Sequence, residues 1–217
     1  MALLTFIVFC LLDFIFLAIL ISKIRTLKRI IDTPTTSIKD LKPGRHEIIG
    51  IANAVDETEI VRSPFSNLPC LCFQVNISQT INKATEQLYN GCESVKSKVS
   101  DGTGSVLLDF RHATFVSTKY EKKVFHDKPF IQSLNLDVSG YVDVVESIIM
   151  AGEEIYVQGP VVTEAGQYKI MTVERGTLLI SDKSESELVA SYKLQCIQVG
   201  ILVAIFSITL LIVLLLY

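Results

Sequence analysis

The chain has 217 residues, 49% of them hydrophobic, with a mean hydropathy of +0.43 and a formal charge of −3. The apolar excess sits at the two ends: residues 2–22 carry one charge, Asp13, residues 194–217 carry none, and all 20 Lys and Arg lie between Lys23 and Lys193. This distribution excludes a simple soluble globule, and the absence of any third long apolar run excludes a polytopic bundle.

The first predicted element is Ala2–Ile21, 20 residues, roughly 30 Å as a helix and long enough to span a bilayer. A cleaved signal peptide would want a charged start and a small-residue cleavage site. Neither is present, and Ser22-Lys23-Ile24-Arg25 follows. The transmembrane helix is therefore placed at 1–22, followed by a basic juxtamembrane helix and linker over 23–40. With Lys23, Arg25, Lys28 and Arg29 set aside, 16 basic residues face 22 acidic ones over 30–193. An acidic body lacks the electrostatic footprint of a nucleic-acid binder.

From His46 onward the pattern has period two. Leu71, Phe73, Val75 and Ile77 alternate with Cys70, Cys72, Gln74 and Asn76. Val95, Ser97 and Val99 alternate with Lys96 and Lys98, and Val106, Leu108 and Phe110 with Ser105, Leu107 and Asp109. Ile155, Val157, Gly159 and Val161 alternate with Glu154, Tyr156, Gln158 and Pro160. Each reads as a strand with one buried face. Turn signals stand at Pro43-Gly44, Asn90-Gly91, Asp101-Gly102, Ala151-Gly152 and Ala165-Gly166-Gln167. The expected fold is mainly β: a small antiparallel barrel or sandwich-like domain over 41–183, flanked by two transmembrane helices. Tyr120–Asp143 gives no clear pattern. A juxtamembrane helix is predicted over 184–193, with Ser184 or Ser186 as N-cap, and a second transmembrane helix over 194–217.

Five cysteines make an odd count, and only Cys70, Cys72 and Cys92 belong to the body, too few for a disulfide framework. As strand neighbours, Cys70 and Cys72 would place both sulfurs on one face, but no CxxC or HxxxH spacing supplies a metal site with His46, His112 or His126. No nucleophile elbow accompanies Cys70, His112 or His126, and Asp101-Gly102-Thr103-Gly104-Ser105 reads as a hairpin turn rather than a phosphate loop. The sequence therefore assigns no catalytic, cofactor or metal residue.

The order of short motifs is nevertheless specific. Ser63-Pro64-Phe65 precedes Leu68-Pro69-Cys70; Asp101-Gly102-Thr103-Gly104 opens a strand; Gly152-Glu153-Glu154 leads to Gly159; and Leu179-Ile180-Ser181-Asp182 closes the set. This resembles the GIDE-type domain, also called BAM ("beside a membrane"), of the mitochondrial E3 ubiquitin ligase family. Pro64, Phe65, Pro69, Cys70, Asp101, Gly102, Gly104, Gly152 and Gly159 carry the likeness. The resemblance implies a β domain held against a bilayer by a helix at each end. The ligases' RING needs eight Cys/His ligands at its own spacing, which this sequence does not offer, so their chemistry is not carried over.

These readings lead to a membrane-anchored binding or scaffold module, partnered by the lipid bilayer and by a protein. The alternative is a RING-less relative or adaptor of a GIDE-type ligase, and a third reading is a thiol- or metal-dependent enzyme using Cys70 and Cys72. The basic cluster at 23–29 predicts a cytoplasmic body by the positive-inside rule; family precedent would instead place it in the mitochondrial intermembrane space. Asp13 falls near the bilayer centre, where a carboxylate costs about 2.5–3.5 kcal/mol. It is expected to hydrogen-bond Ser207 or Thr209, within the molecule or across a homo-oligomer. Gly200 and Ala204 are expected to form a small-residue face for close helix approach.

Overall fold

The computed structural model describes residues 2–117, 119–173 and 177–216, with side chains for all of these except 2–6, 119 and 213–216. The aliphatic tail beyond residue 212 thus lies outside the described side chains. Two compact units emerge: the terminal segments Met1–Pro34 and Ser184–Tyr217 form one, and Thr35–Lys183 the other.

The terminal unit is an antiparallel helix pair. Helix α1 runs Ala2–Asp32 without a break, so the predicted span and its basic extension are one element. On α1 the more covered positions are 9, 13, 16, 20, 23, 27 and 30, with 10, 12 and 26 beside them; the first set advances in alternating steps of four and three, which marks one helix–helix seam. Large side chains such as Ile7, Leu11, Phe14 and Ile15 point outward, as lipid-facing residues would.

The body is built on a closed barrel of five strands. Strand β1 (Gly44–Ala54) is preceded by a single 3-10 turn at Ile38–Asp40, and a short β2–β3 ribbon (Val61–Arg62, Pro69–Cys70) follows it. A long hairpin, β4 (Cys72–Ile81) and β5 (Ala84–Ser94), comes next. Then come β6 (Ser97–Ser100), β7 (Ser105–Leu108), β8 (Thr114–Phe115), β9 (Lys119–Phe125), helix α2 (Pro129–Ser133) and β10 (Tyr141–Ile149). Strands β11 (Glu154–Glu164), β12 (Gln167–Ile170) and β13 (Leu179–Ser181) complete the body, and helix α3 (Glu185–Leu216) follows.

The barrel order is β1-β6-β7-β12-β11, closed by β11 pairing back to β1. All pairs are antiparallel except β12 with β7. Counting only barrel strands, the order is 1-2-3-5-4, a Greek-key barrel of the OB type. Its interior is filled from every second residue: Ile48 and Ala52 on β1, Val99 on β6, Val106 and Leu108 on β7, Ile155, Val157 and Val161 on β11, and Ile170 on β12. Glycine supplies the tight places. A Cβ on Gly159 would stand 2.6 Å from Leu178 Cδ1, and one on Gly50 would stand 2.6 Å from the backbone oxygen of Ser100.

A second sheet, ordered β5-β4-β10-β9 and wholly antiparallel, grows out of the barrel's long connections. It has its own core of Phe73, Val75 and Ile77 from β4, Val142, Val144 and Ile148 from β10, and Ile131 of α2. The chain passes from this core into the barrel core at Cys70-Leu71-Cys72. Cys70 belongs to the second core, whereas Leu71 and Cys72 belong to the barrel. The shared-face expectation for the two sulfurs is therefore overturned: the strand is interrupted at Leu71, between β3 and β4.

Two further expectations are corrected. Asn90-Gly91 is not a turn; it lies inside β5, opposite Asn76 and Val75, with the Tyr89 ring folded over the Gly91 backbone. The actual two-residue turn is Asn82-Lys83, both at positive φ (52° and 70°), the geometry that fits the twist of a hairpin. The middle of the outward row of β11 is also buried: Tyr156 and Gln158 lie beside buried Glu47, and Arg45 Nη2 donates to Gln158 Oε1 at 3.3 Å. Tyr156 Oη donates to Glu47 Oε2 at 2.6 Å, and Thr35 Oγ1 donates to Glu47 Oε1 at 2.8 Å.

Candidate functional site

A cleft of about 630 Å³ opens on the barrel wall. Its sides come from the stretch that enters β6 (Ser94, Val95, Lys96, Ser97), from β7 (Leu107, Leu108) and from the β11–β12 turn and β12 (Glu164, Ala165, Gln167, Lys169). A second hollow of about 290 Å³ shares Val55, Leu107 and Gln167 with it and extends past Tyr168 to Ile38 and Leu41. The two form one groove across β6, β7 and β12.

The groove has an apolar floor and a charged rim. Val55 and Leu107 point outward from the barrel wall, and Val95 packs partly against the core. On the rim, Arg111 grips Asp109 with two bonds, Nη2 to Oδ2 at 2.7 Å and Nε to Oδ1 at 2.9 Å. Lys169 Nζ continues the chain, 3.2 Å from Asp109 Oδ2 and 3.1 Å from Glu164 Oε2. Hydrogen bonding from Arg111, aided by Lys169 and opposed by burial, holds the Asp109 carboxyl well below the usual carboxylate range. The outer partners are open, with side-chain exposures of 67% for Arg111 and 63% for Glu164. Exposed pairs of this kind add little to folding, so these groups remain available to a ligand.

The sequence-singled residues lie elsewhere, and those in the body have structural work. Pro64 and Phe65 form a turn whose amides are held by the buried Glu146 carboxylate: Phe65 N at 3.1 Å, Ser66 N at 3.0 Å, and the Ser66 hydroxyl. Pro69 and Cys70 form β3, and the Cys70 thiol points at Val61 O. Burial, with the Glu146 charge second, pushes that thiol up to about 11, which makes it a poor nucleophile. Asp101 closes the β6–β7 loop by accepting from Thr103 N, Thr103 Oγ1, Gly104 N and, across the turn, Ile38 N at 2.7 Å. Gly102 and Gly152 occupy positive φ (82° and 79°).

The three histidines are not gathered with the cysteines. His46 meets Lys42 O and Thr36 Oγ1, His126 meets Gly140, and His112 sits at a positive-φ turn. Among the described residues no three His, Cys, Asp or Glu side chains cluster as a metal ion would require.

In the helix pair, Ser207 Oγ donates to both carboxylate oxygens of Asp13, at 3.2 Å each. Thr209 turns instead to its own helix, bonding Ile205 O at 2.8 Å. The small-residue face is not used: a Cβ on Gly200 would meet open space, and Ala204 is exposed. Phe206 fills the seam, with ring centroids 5.2 Å from Phe16 and 5.9 Å from Phe9, so bulky aromatics set the helix spacing. At the basic end, Lys23 Nζ donates to Gln195 Oε1 at 2.7 Å and lies 5.6 Å from the Tyr192 ring centroid. Helix α3 opens on a capping box, in which Ser184 N donates to Glu187 Oε2 and Glu187 N donates back to Ser184 Oγ.

The groove is not legible in the sequence because its residues are dispersed over five segments. One signal was legible: Leu107 stands between Ser105 and Asp109 in the row that alternation assigns to solvent. Comparison with family models, curated proteins and solved structures returns no match for this chain.

Proposed function

We propose that the protein is a membrane-anchored binding module whose barrel groove receives an extended segment of a partner protein. The carrying observation is the groove itself: Leu107 in an outward strand position where a water-facing residue belongs, with exposed Val55 in the bend just after β1, rimmed by Arg111, Asp109, Lys169 and Glu164. Both α1 and α3 are long and apolar enough to cross a membrane. Anchored at both ends, the body would meet partners confined to the same bilayer, which raises effective concentration without new contacts. The basic residues Lys23, Arg25, Lys28 and Arg29 favour a cytoplasmic body. The adaptor role suggested by the GIDE resemblance rests on the sequence motifs, whose positions serve turns and packing.

Photo-crosslinking residues placed at Leu107 and Gln167 of the full chain, in native membranes, test the reading. Both positions should yield the same crosslinked protein, and a probe at Glu86, exposed on β5, should not. Identical patterns from all three positions, or loss of no crosslink on Leu107→Glu in a chain probed at Gln167, would sink it. The orientation is checked separately, because a membrane-impermeant maleimide should reach exposed Cys92 only after permeabilisation.

A further inference from the structure

Outside the groove, one pair of reactive groups stands unexplained. Cys72 begins β4 and Cys92 lies near the end of β5, in a register that sets Cys72 opposite Ser94 and Gln74 opposite Cys92. The two cysteines are therefore diagonal neighbours on one face of the hairpin. Their sulfurs are 3.2 Å apart. A disulfide bond is about 2.0 Å long, so closing it asks for a shift of little more than 1 Å. The two thiols differ in access: Cys92 is exposed and Cys72 is fully buried in the barrel core.

We propose that Cys72 and Cys92 are a redox modification site, converted by a hydroperoxide into a disulfide that fastens β5 to β4 beside the groove. The exposed Cys92 thiolate attacks the peroxide; an S–O bond forms, the O–O bond breaks, and hydroxide leaves. Cys72 sulfur then attacks the Cys92 sulfenic acid; the S–S bond forms and water departs with the Cys72 proton. In sum, two thiols and one hydrogen peroxide give one disulfide and two waters. A thiol reductant reverses the step.

The environments suit these roles. A hydrogen bond from Cys72 favours the Cys92 thiolate and holds its pKa below the ordinary thiol value, against burial and the nearby Asp109 and Glu93 charges. Burial, with the bond to Cys92 second, pushes Cys72 far up, so it waits as a neutral thiol until its neighbour is oxidised. Cys70 is excluded as a partner because it belongs to the other core and points at Val61 O. The consequence falls on the groove: Ser94, two residues beyond Cys92, is part of its wall. Formation of the bond does not depend on what the groove binds.

The test uses the full chain in detergent, reduced and then treated with hydrogen peroxide. Tryptic peptide 63–83 should become linked to peptide 84–96, with loss of two thiols, and the reductant should release them. The same link should form in Cys70→Ser, which assigns it to Cys72. In Cys72→Ser the reaction should stall, and dimedone should trap Cys92 sulfenic acid to a greater extent than in the parent chain. Equal dimedone trapping in parent and Cys72→Ser, a link through Cys70, or overoxidation of Cys92 without any link would overturn the proposal.

Discussion

Replacing Gly50 with Ala should destabilise the body, although the substitution on its face favours folding. Removing a glycine reduces the freedom of the unfolded chain and stabilises by about 0.4–1 kcal/mol where the backbone accepts a side chain. Here it does not. The new Cβ would stand 2.6 Å from Ser100 O and 2.9 Å from Val99 Cγ1. Gly50 lies in the inward row of β1, where that strand passes from pairing with β11 to pairing with β6. The obstructing atom is a ladder carbonyl, so relief requires moving strand β6 rather than a rotamer. Overpacking of this kind costs about 1–3 kcal/mol, which leaves a net loss of roughly 1–2 kcal/mol. With a urea slope of about 1–3 kcal/mol/M, the unfolding midpoint should fall by about 1 M. Buried Cys70, 1% exposed, is a native probe, its maleimide labelling scored by mass across a urea series in detergent. The double variant Gly50→Ala/Val99→Ala discriminates the cause, because it removes the side-chain clash and keeps the carbonyl one. An unchanged or raised midpoint in the single variant, or full recovery in the double, would refute the backbone argument.

Three other expectations follow from the same geometry. Glu146→Ala should leave the half-buried Phe65 and Ser66 amides without this acceptor, at about 1 kcal/mol each, the low end of the penalty for a lost partner, and trypsin should then cut after Arg62 sooner than in the parent; unchanged cleavage would remove Glu146 as the anchor of the turn. Asp13→Cys with Ser207→Cys, in a chain otherwise free of cysteine, should form a disulfide in membranes under mild oxidation, whereas Phe14→Cys with Ala204→Cys, both on exposed faces, should not; the reverse result would mean a different helix seam. The Asp101 carboxyl is held below its ordinary value, because the bonds from Ile38, Thr103 and Gly104 together outweigh burial. A depressed folded pKa contributes stability above the unfolded value near 4 and loses it as pH falls further. The urea midpoint should therefore drop from about pH 4 downward, and Asp101→Asn should flatten that drop; equal slopes would exclude Asp101 as a source of acid sensitivity.

Much of the fold was legible because its periods are clean. The inward rows Ile155, Val157, Gly159, Val161 and Val106, Leu108 mark barrel strands by alternation alone. What stayed hidden has physical causes. Strand β9, with Glu121, Lys122 and Lys123, is an edge whose charges discourage pairing with another chain and also erase the alternation. Helix α2 spans five residues, too few to show a 3.6-residue period. Asn90-Gly91 misled because a turn dipeptide is only a local preference: Tyr89 covers the glycine, and the register of β4 and β5 overrides it. Alternation gives Tyr156 and Gln158 to solvent, yet hydrogen bonds, from Tyr156 to Glu47 and from Arg45 to Gln158, let them be buried.

The motif positions carry a different lesson. Gly159 admits Leu178, Asp101 ties the β6–β7 loop to the 3-10 turn, Gly152 takes the positive φ between β10 and β11, and Pro64-Phe65 sits on Glu146. Each marks a place where the chain turns or where backbone and core approach closely. A sequence order built from such places reports the architecture and is silent on chemistry, since one fold hosts many functions. The features on which the proposed function and redox site rest have the opposite character. Val55 and Leu107 are apolar where the barrel wall would be polar, Cys92 is an exposed thiol 3.2 Å from a buried one, and Arg111 and Glu164 keep most of their charge in water at the rim. None of these departures stabilises the barrel appreciably, and an exposed apolar stripe carries an aggregation liability. Local rules are broken without a folding gain mainly where another selection acts. Val55, Leu107 and Arg111 are therefore the residues at which substitution should separate the proposed binding from folding, and Cys92 the one at which it should separate the proposed redox step from folding.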